Sequence, residues 1–268
     1  MTRSELLQFL EQIGAFPKKG LSQNFLVDQN IVRKIVELAE VKNGDSVLEI
    51  GPGPGALTEA LLAAGARVLA VEKDHLFAKH LLRFQTADER LQVECADVLK
   101  FPFEQLTSGR WKVVANLPYN ITTPILEKLV GSASRFESFT LMMQKEVADR
   151  IQAKPSTKAF GSLTLFLQFH TRVHGAFAVA PTCFYPAPSV HSTVLRLNTR
   201  TPPAVDETQL FALIHRAFQQ RRKMLTSSLR EIGKEVAEAL VSIGVVRTAR
   251  PEELSLEQWI SFAKKLGS

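Results

Sequence analysis

Five short runs that read as strands, SVLEI, ARVLAVEKD, LQVECAD, WKVVAN and FTLMMQ, are separated by stretches of helical periodicity. This alternation constrains the fold more than any other feature. Strands that alternate with helices pair in parallel, because a parallel pair needs a crossover long enough to hold a helix. The pattern predicts an α/β fold with a doubly wound, parallel sheet. The helices read as ALTEALLAAG, ending at Gly65 in the position that favours glycine, then HLFAKHLLRF, a helix through ILEKLV, and KEVADRIQA. Upstream, DQNIVRKIVELAE is helical with Asp28 as N-cap, and Asn43-Gly44-Asp45 makes a turn. GSLTLFLQFH, AFAVA and STVLRLN supply further helix or strand.

Around residues 198–206 the pattern breaks. NTRTPPAVD has two adjacent prolines and no periodicity, which marks a linker. Only helical patterns follow: ETQLFALIHRAFQQRRKMLTSSLREI, KEVAEALVSIG and SLEQWISFAKKL. The expected division is a domain over 1–200 and a small helical domain over 201–268 that carries the basic triplet Arg221-Arg222-Lys223.

Composition excludes some classes. The 268 residues are 45% hydrophobic and 22% charged, as in an ordinary globular chain. The longest apolar runs are far short of the roughly 20 residues of a membrane span. MTRSELLQFLEQIG has Glu5 and Glu11 inside its apolar pattern, so it reads as an amphipathic helix rather than a signal peptide. A cytoplasmic protein is expected. The net charge of +6 is compatible with a polyanionic partner and excludes nothing. Cys95 and Cys183 form no CxxC pair and read as reduced, partly buried thiols. His170 and His174 have the spacing of a helical metal pair, but FHTRVHGAF reads as extended and lacks the acid of such motifs, so no metal is expected.

A doubly wound sheet binds ligands beyond the carboxyl ends of its strands. The chemically suggestive residues fall there: Gly51, Gly53 and Gly55 after the first strand, Glu72 and Asp74 after the second, Asp97 after the third, Asn116 after the fourth. A glycine turn between strand and helix, with an acid about 20 residues on, suits a nucleoside whose ribose hydroxyls bond the acid. The alternative is a plain turn with a surface glutamate. Pro52 and Pro54 lack N–H groups, and a pyrophosphate wants backbone donors. S-adenosylmethionine, a nucleoside without phosphate, fits better. Asp97 then accepts from its adenine amine, or else serves as a helix cap or turn residue.

The fourth strand runs into VVANLPYNITTP, residues 113–124. With a methyl donor in the pocket, two acceptors at this strand end can grip an exocyclic amine: the Asn116 side-chain oxygen, and the Leu117 carbonyl held outward by the fixed φ of Pro118. Acceptors on both hydrogens favour a pyramidal nitrogen with a freer lone pair. Tyr119 can stack on the base. The competing reading is a proline-terminated strand with a capping Asn and a core Tyr.

The chain resembles the bacterial small-subunit rRNA adenine dimethyltransferases, the KsgA type, over essentially its whole length. The matching segments are SQNFL at 22–26, LEIGPGPGALT at 48–58, the VEKD acid, the CAD aspartate, NLPYNITTP, MQKEVADRI at 143–151, FYPAPSVHS at 184–192 and QRRKM at 220–224. The resemblance implies a Rossmann-like class I S-adenosylmethionine-dependent methyltransferase fold with a small helical C-terminal domain. It implies N6-dimethylation of two adjacent adenosines in a hairpin loop near the 3′ end of 16S rRNA, on a pre-formed small subunit, during ribosome maturation. The chain is then expected to act as a monomer without metal or membrane.

By resemblance, residues 1–40 would form a helical segment closing over the cofactor through Asn24 and Leu26. Gly51 would contact its methionine end, Glu72 its ribose and Asp97 its adenine, with Asn116 both bordering the cofactor and holding the target amine. Tyr119 and Phe184 would sandwich the flipped adenine, with Pro186 and Pro188 stiffening the loop; Phe184 also reads as a core residue. Arg221, Arg222 and Lys223 would contact rRNA, although the continuation Met224-Leu225-Thr226-Ser227 is less basic than such proteins usually show. A solvated helix face is the other reading of the triplet. Two rivals share these features: an antibiotic-resistance methyltransferase of large-subunit rRNA, which the PxPxV segment and basic C-terminal region disfavour, and a non-catalytic assembly factor, against which the intact NLPY and acids argue. DNA is the less favoured nucleic acid.

Overall fold

The computed structural model describes residues 1–21, 23–85, 87–106 and 109–267, so Ser22 of the SQNFL match lies outside the described residues. The chain opens with helix α1 (Arg3–Gln12), a short strand β1 (Phe25–Leu26) and helix α2 (Gln29–Leu38). There follow β2 (Ser46–Ile50), α3 (Ala56–Ala63), β3 (Arg67–Glu72), α4 (His75–Leu81), β4 (Leu91–Cys95), β5 (Trp111–Asn116), α5 (Thr122–Gly131) and β6 (Phe136–Gln144). Next come α6 (Lys145–Ile151), α7 (Ser162–His170), β7 (Thr171–Val179), β8 (Phe184–Tyr185) and β9 (Ser192–Thr199). Helices α8 (Glu207–Gln219), α9 (Leu225–Ser228), α10 (Glu235–Ser242) and α11 (Leu256–Leu266) complete it.

Internal contacts divide the chain into two units, Met1–Ala148 with Arg172–Thr199, and Asp149–Thr171 with Arg200–Ser268. The first holds a seven-stranded sheet in the order β4-β3-β2-β5-β6-β9-β7. β2 pairs in parallel with β3 and β5, β3 with β4, and β5 with β6, while β9 runs antiparallel to β6. From β2 the chain builds outward to β3 and β4, then returns to β5 on the opposite side. This reversal is a topological switch point, where a parallel sheet opens a crevice at its carboxyl edge. The central strands are apolar on both faces, as in a sheet covered on both sides: Val47, Leu48 and Ile50 are all at most 2% exposed. Asp28 caps α2, its Oδ1 accepting the N–H groups of Asn30 and Ile31 at 2.8 and 3.3 Å.

The second unit is helical. Phe160, Leu165 and Phe169 share its core with Leu210, Ile214, Leu225, Trp259 and Phe262. The sequence division put residues 149–171 in the first domain; here they pack with the C-terminal helices. Their apolar content suits either core, and only the tertiary contacts choose. His170 ends α7, one residue before the extended segment expected to include it, and its Nε2 lies 3.0 Å from Glu207 Oε1. His174 pairs instead with Glu40 at 3.6 Å.

The run from 207 to 232, read as one helix, breaks after Gln219. Leu210, Ile214 and Ala217 form the buried stripe of α8, each 0% exposed. One turn further on the same stripe stands Arg221, which a continued helix would drive into the core. The chain turns instead, Lys223 N–H bonding Gln220 O at 2.8 Å, and Leu225 becomes the next buried residue. The basic triplet therefore sits on a turn, not on a helix face. Among the described residues no helix is long and apolar enough to cross a membrane.

Candidate active site

β4, β3, β2 and β5 are neighbours in the sheet, so their carboxyl ends place Asp97, Glu72, Gly51 and Asn116 along one edge. A cavity of about 140 Å³ opens there, lined by Gly51, Glu72, Asp97, Pro118 and Ile121, with Leu21 from the N-terminal segment.

The glycine turn is shaped by sterics. Gly51, Gly53 and Gly55 have φ of 63°, 54° and 89°, a region where side chains are disfavoured. At Gly55 space is also closed, because an added Cβ would lie 2.5 Å from the Phe84 ring. Arg83, its guanidinium over the rings of Phe9 and Phe84, donates to Pro54 O at 2.5 Å and braces the turn.

Glu72 is 6% exposed, and its oxygens accept the N–H groups of Gly53 and Asp74 at 2.9 and 2.8 Å. Burial pushes its pKa up. A carboxylate has roughly four lone-pair sites, so acceptor capacity is left for a diol. At Asp97, Oδ2 meets Lys73 Nζ at 2.8 Å and Oδ1 accepts Leu99 N–H at 2.9 Å. Lys73 holds this carboxyl below its usual range. Asp97 thus fills the turn role that the sequence allowed while lining the cavity.

The Asn116 Nδ2 donates to the carbonyl of Asn24 at 3.0 Å, and its Oδ1 is buried without a partner. Buried acceptors are nearly always bonded, so this one marks a position for an incoming donor. Leu117 N–H bonds Met142 O at 3.0 Å, which fixes the strand end, and Pro118 follows with φ −63°. The Tyr119 hydroxyl lies 2.5 Å from Ser192 Oγ, and burial pushes its pKa up.

The structure does not bring Phe184 to this edge as a free ring. It is 4% exposed and packs with Leu26, Val32, Val179 and Val194, so the core reading is the one realised. Its strand β8 pairs with β1, setting Leu26 against Phe184 and Phe25 against Tyr185. In the second unit, Arg221 spends its guanidinium on the carbonyls of Lys158 and Thr157, at 2.9 and 3.1 Å. Arg222 and Lys223 are exposed. Cys183 is half-buried and Cys95 exposed, its Sγ 3.0 Å from His75 Nδ1.

Several residues escaped the sequence reading. Phe25 packs on the glycine turn, its ring 3.1 Å from where a Cβ on Gly53 would stand. Glu49, in β2 just before the turn, is 1% exposed, and neither oxygen has a hydrogen-bond partner. Burial drives its pKa to about 8, with the charge of Glu72 adding to the effect. Thr58 flanks it from α3, but no bond of normal geometry joins them. An acid inside the run LEI was the available signal.

The cavity is lined by the carboxylates of Glu72 and Asp97, with Lys73 as a cation paired to Asp97, the Asn116 oxygen lies at the end of the neighbouring strand, and the turn carries two prolines without N–H groups. This set repels phosphate and suits hydroxyls, amines and a sulfonium, so the residues fit S-adenosylmethionine. Together with the strand order, they define a class I S-adenosylmethionine-dependent methyltransferase. The family model for ribosomal RNA adenine dimethylase matches residues 16–267. The chain is 48% identical to ribosomal RNA small subunit methyltransferase A of Protochlamydia amoebophila over 99% of its own length and 96% of that protein's. With the protein of the same name from Chlamydia trachomatis it shares 45%, over 96% and 94%. Among solved structures it resembles the 23S rRNA methyltransferase ErmE, at 27% identity and a TM-score of 0.72, over 91% of this chain and 100% of that one. A dimethyladenosine transferase from Plasmodium falciparum shares the fold, with TM-score 0.75 at 22% identity, over 89% and 95%. The chain belongs to the ribosomal RNA adenine dimethylase family.

Proposed function

We propose that this chain dimethylates N6 of two adjacent adenosines in a hairpin loop near the 3′ end of small-subunit rRNA, within a pre-formed subunit, as a step of its maturation. The observation that carries the reading is the orphaned Asn116 Oδ1 at the end of β5. The Nδ2 bond to Asn24 fixes which way the amide points and leaves the oxygen for the substrate amine. The Leu117 carbonyl is the second acceptor. Two acceptors draw both hydrogens of the amine and free its lone pair, and no general base is needed because the ammonium product loses its proton to water. The cofactor, when bound, supplies an electrophilic methyl group on a sulfonium. Glu72 would hold its ribose, Asp97 its adenine and Gly51 its methionine end, with Asn24 and Leu26 on the covering segment.

A loop adenosine is already partly unstacked, which lowers the cost of extruding it. Tyr119 receives it by stacking, worth roughly 1–3 kcal/mol. Phe184 would have to leave its packed position to form the second face. Arg222 and Lys223, in the second unit, would add sequence-independent phosphate contacts.

The test is incubation with labelled cofactor and unmethylated small subunits, followed by mapping of modified nucleosides. Label on two adjacent adenosines near the 3′ end of the small-subunit RNA is expected. Label confined to large-subunit RNA would instead assign the activity that the ErmE name carries.

A further inference from the structure

Tyr119 is held at both ends. Its backbone follows the rigid Pro118 and opens the short helical turn Tyr119–Ile121. Its hydroxyl lies 2.5 Å from Ser192 Oγ, 73 residues away in the chain. Ser192 is 0% exposed, begins β9, and pairs through its backbone register with Gln144 at the end of β6. The serine is thus as immobile as the sheet itself.

Stacking does not explain this bond. A base stacks on the face of the ring, and phenylalanine has the same face. The hydroxyl and its buried partner need a different account. Ordering a free aromatic side chain on binding costs free energy, whereas a ring already fixed pays nothing at that moment. We propose that Ser192 is a positioning residue, which holds the Tyr119 ring in its receiving orientation before the target adenine arrives. This rests on the reading of Tyr119 as the base-stacking residue. It also gives the last residue of the FYPAPSVHS segment a task distinct from that of its aromatic and its prolines.

Ser192→Ala, Tyr119→Phe, their double variant and Tyr119→Ala separate the two ideas. Single-turnover methylation of unmethylated small subunits is measured at saturating S-adenosylmethionine, with KM for the particle and calorimetric Kd for the cofactor. Loss of one pre-ordered ring is expected to lower kcat/KM about three- to tenfold. Ser192→Ala and Tyr119→Phe should show the same loss, the double variant no more than either, and cofactor Kd should not move. Tyr119→Ala should fall well below all of them. Full activity of Tyr119→Phe beside a crippled Tyr119→Ala overturns the positioning role and leaves stacking intact. Full activity of Tyr119→Ala removes the stacking reading, and the proposal with it. A loss in Ser192→Ala alone, or an additive double variant, also refutes the tether. Tyr119→Phe keeps the test alive should Ser192→Ala fold poorly.

Discussion

Replacing Glu49 by glutamine should change how stability depends on pH, in a direction fixed by the burial of this side chain. In the folded chain the carboxyl titrates at about 8, against 4.5 for an ordinary glutamate. Because the folded value is raised, the native state binds the proton more tightly than the unfolded chain between these limits. The stabilisation is therefore fully present below pH 4.5 and is lost as pH rises through 8. At about 1.4 kcal/mol per pKa unit, the whole interval amounts to at most about 5 kcal/mol, and relaxation around a buried charge reduces it to roughly 2–4. Glutamine copies the shape of the protonated acid and cannot ionise. Glu49→Gln should come nearest to the unsubstituted chain at the acid end of the range and exceed it progressively up to a plateau above pH 8. Urea unfolding at fixed temperature from pH 5 to 9, followed by circular dichroism, reads this difference directly. A stability difference that stays constant across the range would refute the reasoning, since it would mean that Glu49 has the same proton affinity in both states.

Asn116→Ala should leave S-adenosylmethionine affinity within a few-fold and cut the single-turnover methyl-transfer rate by about a hundredfold, by analogy with the loss of one pre-organised polar contact to a reacting group. Gly55→Ala should destabilise by about 2 kcal/mol or more in denaturant titration, because φ is 89° and the new methyl meets the Phe84 ring at 2.5 Å. Replacing Arg222 and Lys223 together by glutamine should weaken particle binding and reduce the slope of log K against log salt by about 2, whereas Arg221→Gln should mainly lower thermal stability.

Much of the site was legible because its chemistry lies in contiguous motifs. The turn at 51–55, the acid at 72 and NLPY each come at the end of a strand whose apolar run is plain, Asp97 follows the alternating LQVEC, and strand ends are where such sheets bind. What could not be read depends on side chains meeting across the fold. Nothing local says that Phe184 packs against Leu26 and Val32 rather than standing free, since a phenylalanine before Tyr-Pro suits either state. Likewise, Arg221 looks like its two basic neighbours until Thr157 and Lys158 are brought beneath it. The break after α8 was hidden for another reason. The run has no glycine or proline, and only the burial stripe through Ala217 shows that residue 221 falls on the wrong face.

The deepest part of the site to escape the sequence is the set of bonds that joins its halves. Asp74 is 5% exposed and accepts Lys18 Nζ at 2.7 Å and Gln23 Nε2 at 3.4 Å, which anchors the segment before β1. Its own N–H bonds Glu72, whose other oxygen takes the N–H of Gly53. One residue beyond Gln23 is Asn24, whose carbonyl holds the Asn116 amide. A single chain of contacts therefore runs from the glycine turn, through both acids and the N-terminal segment, to the acceptor at the end of β5. Each link is a bond to a backbone group or a long polar side chain, which no periodicity encodes. Such a network orients Asn116 only while the segment is docked, so the acceptor and the cover of the cavity are assembled by the same contacts.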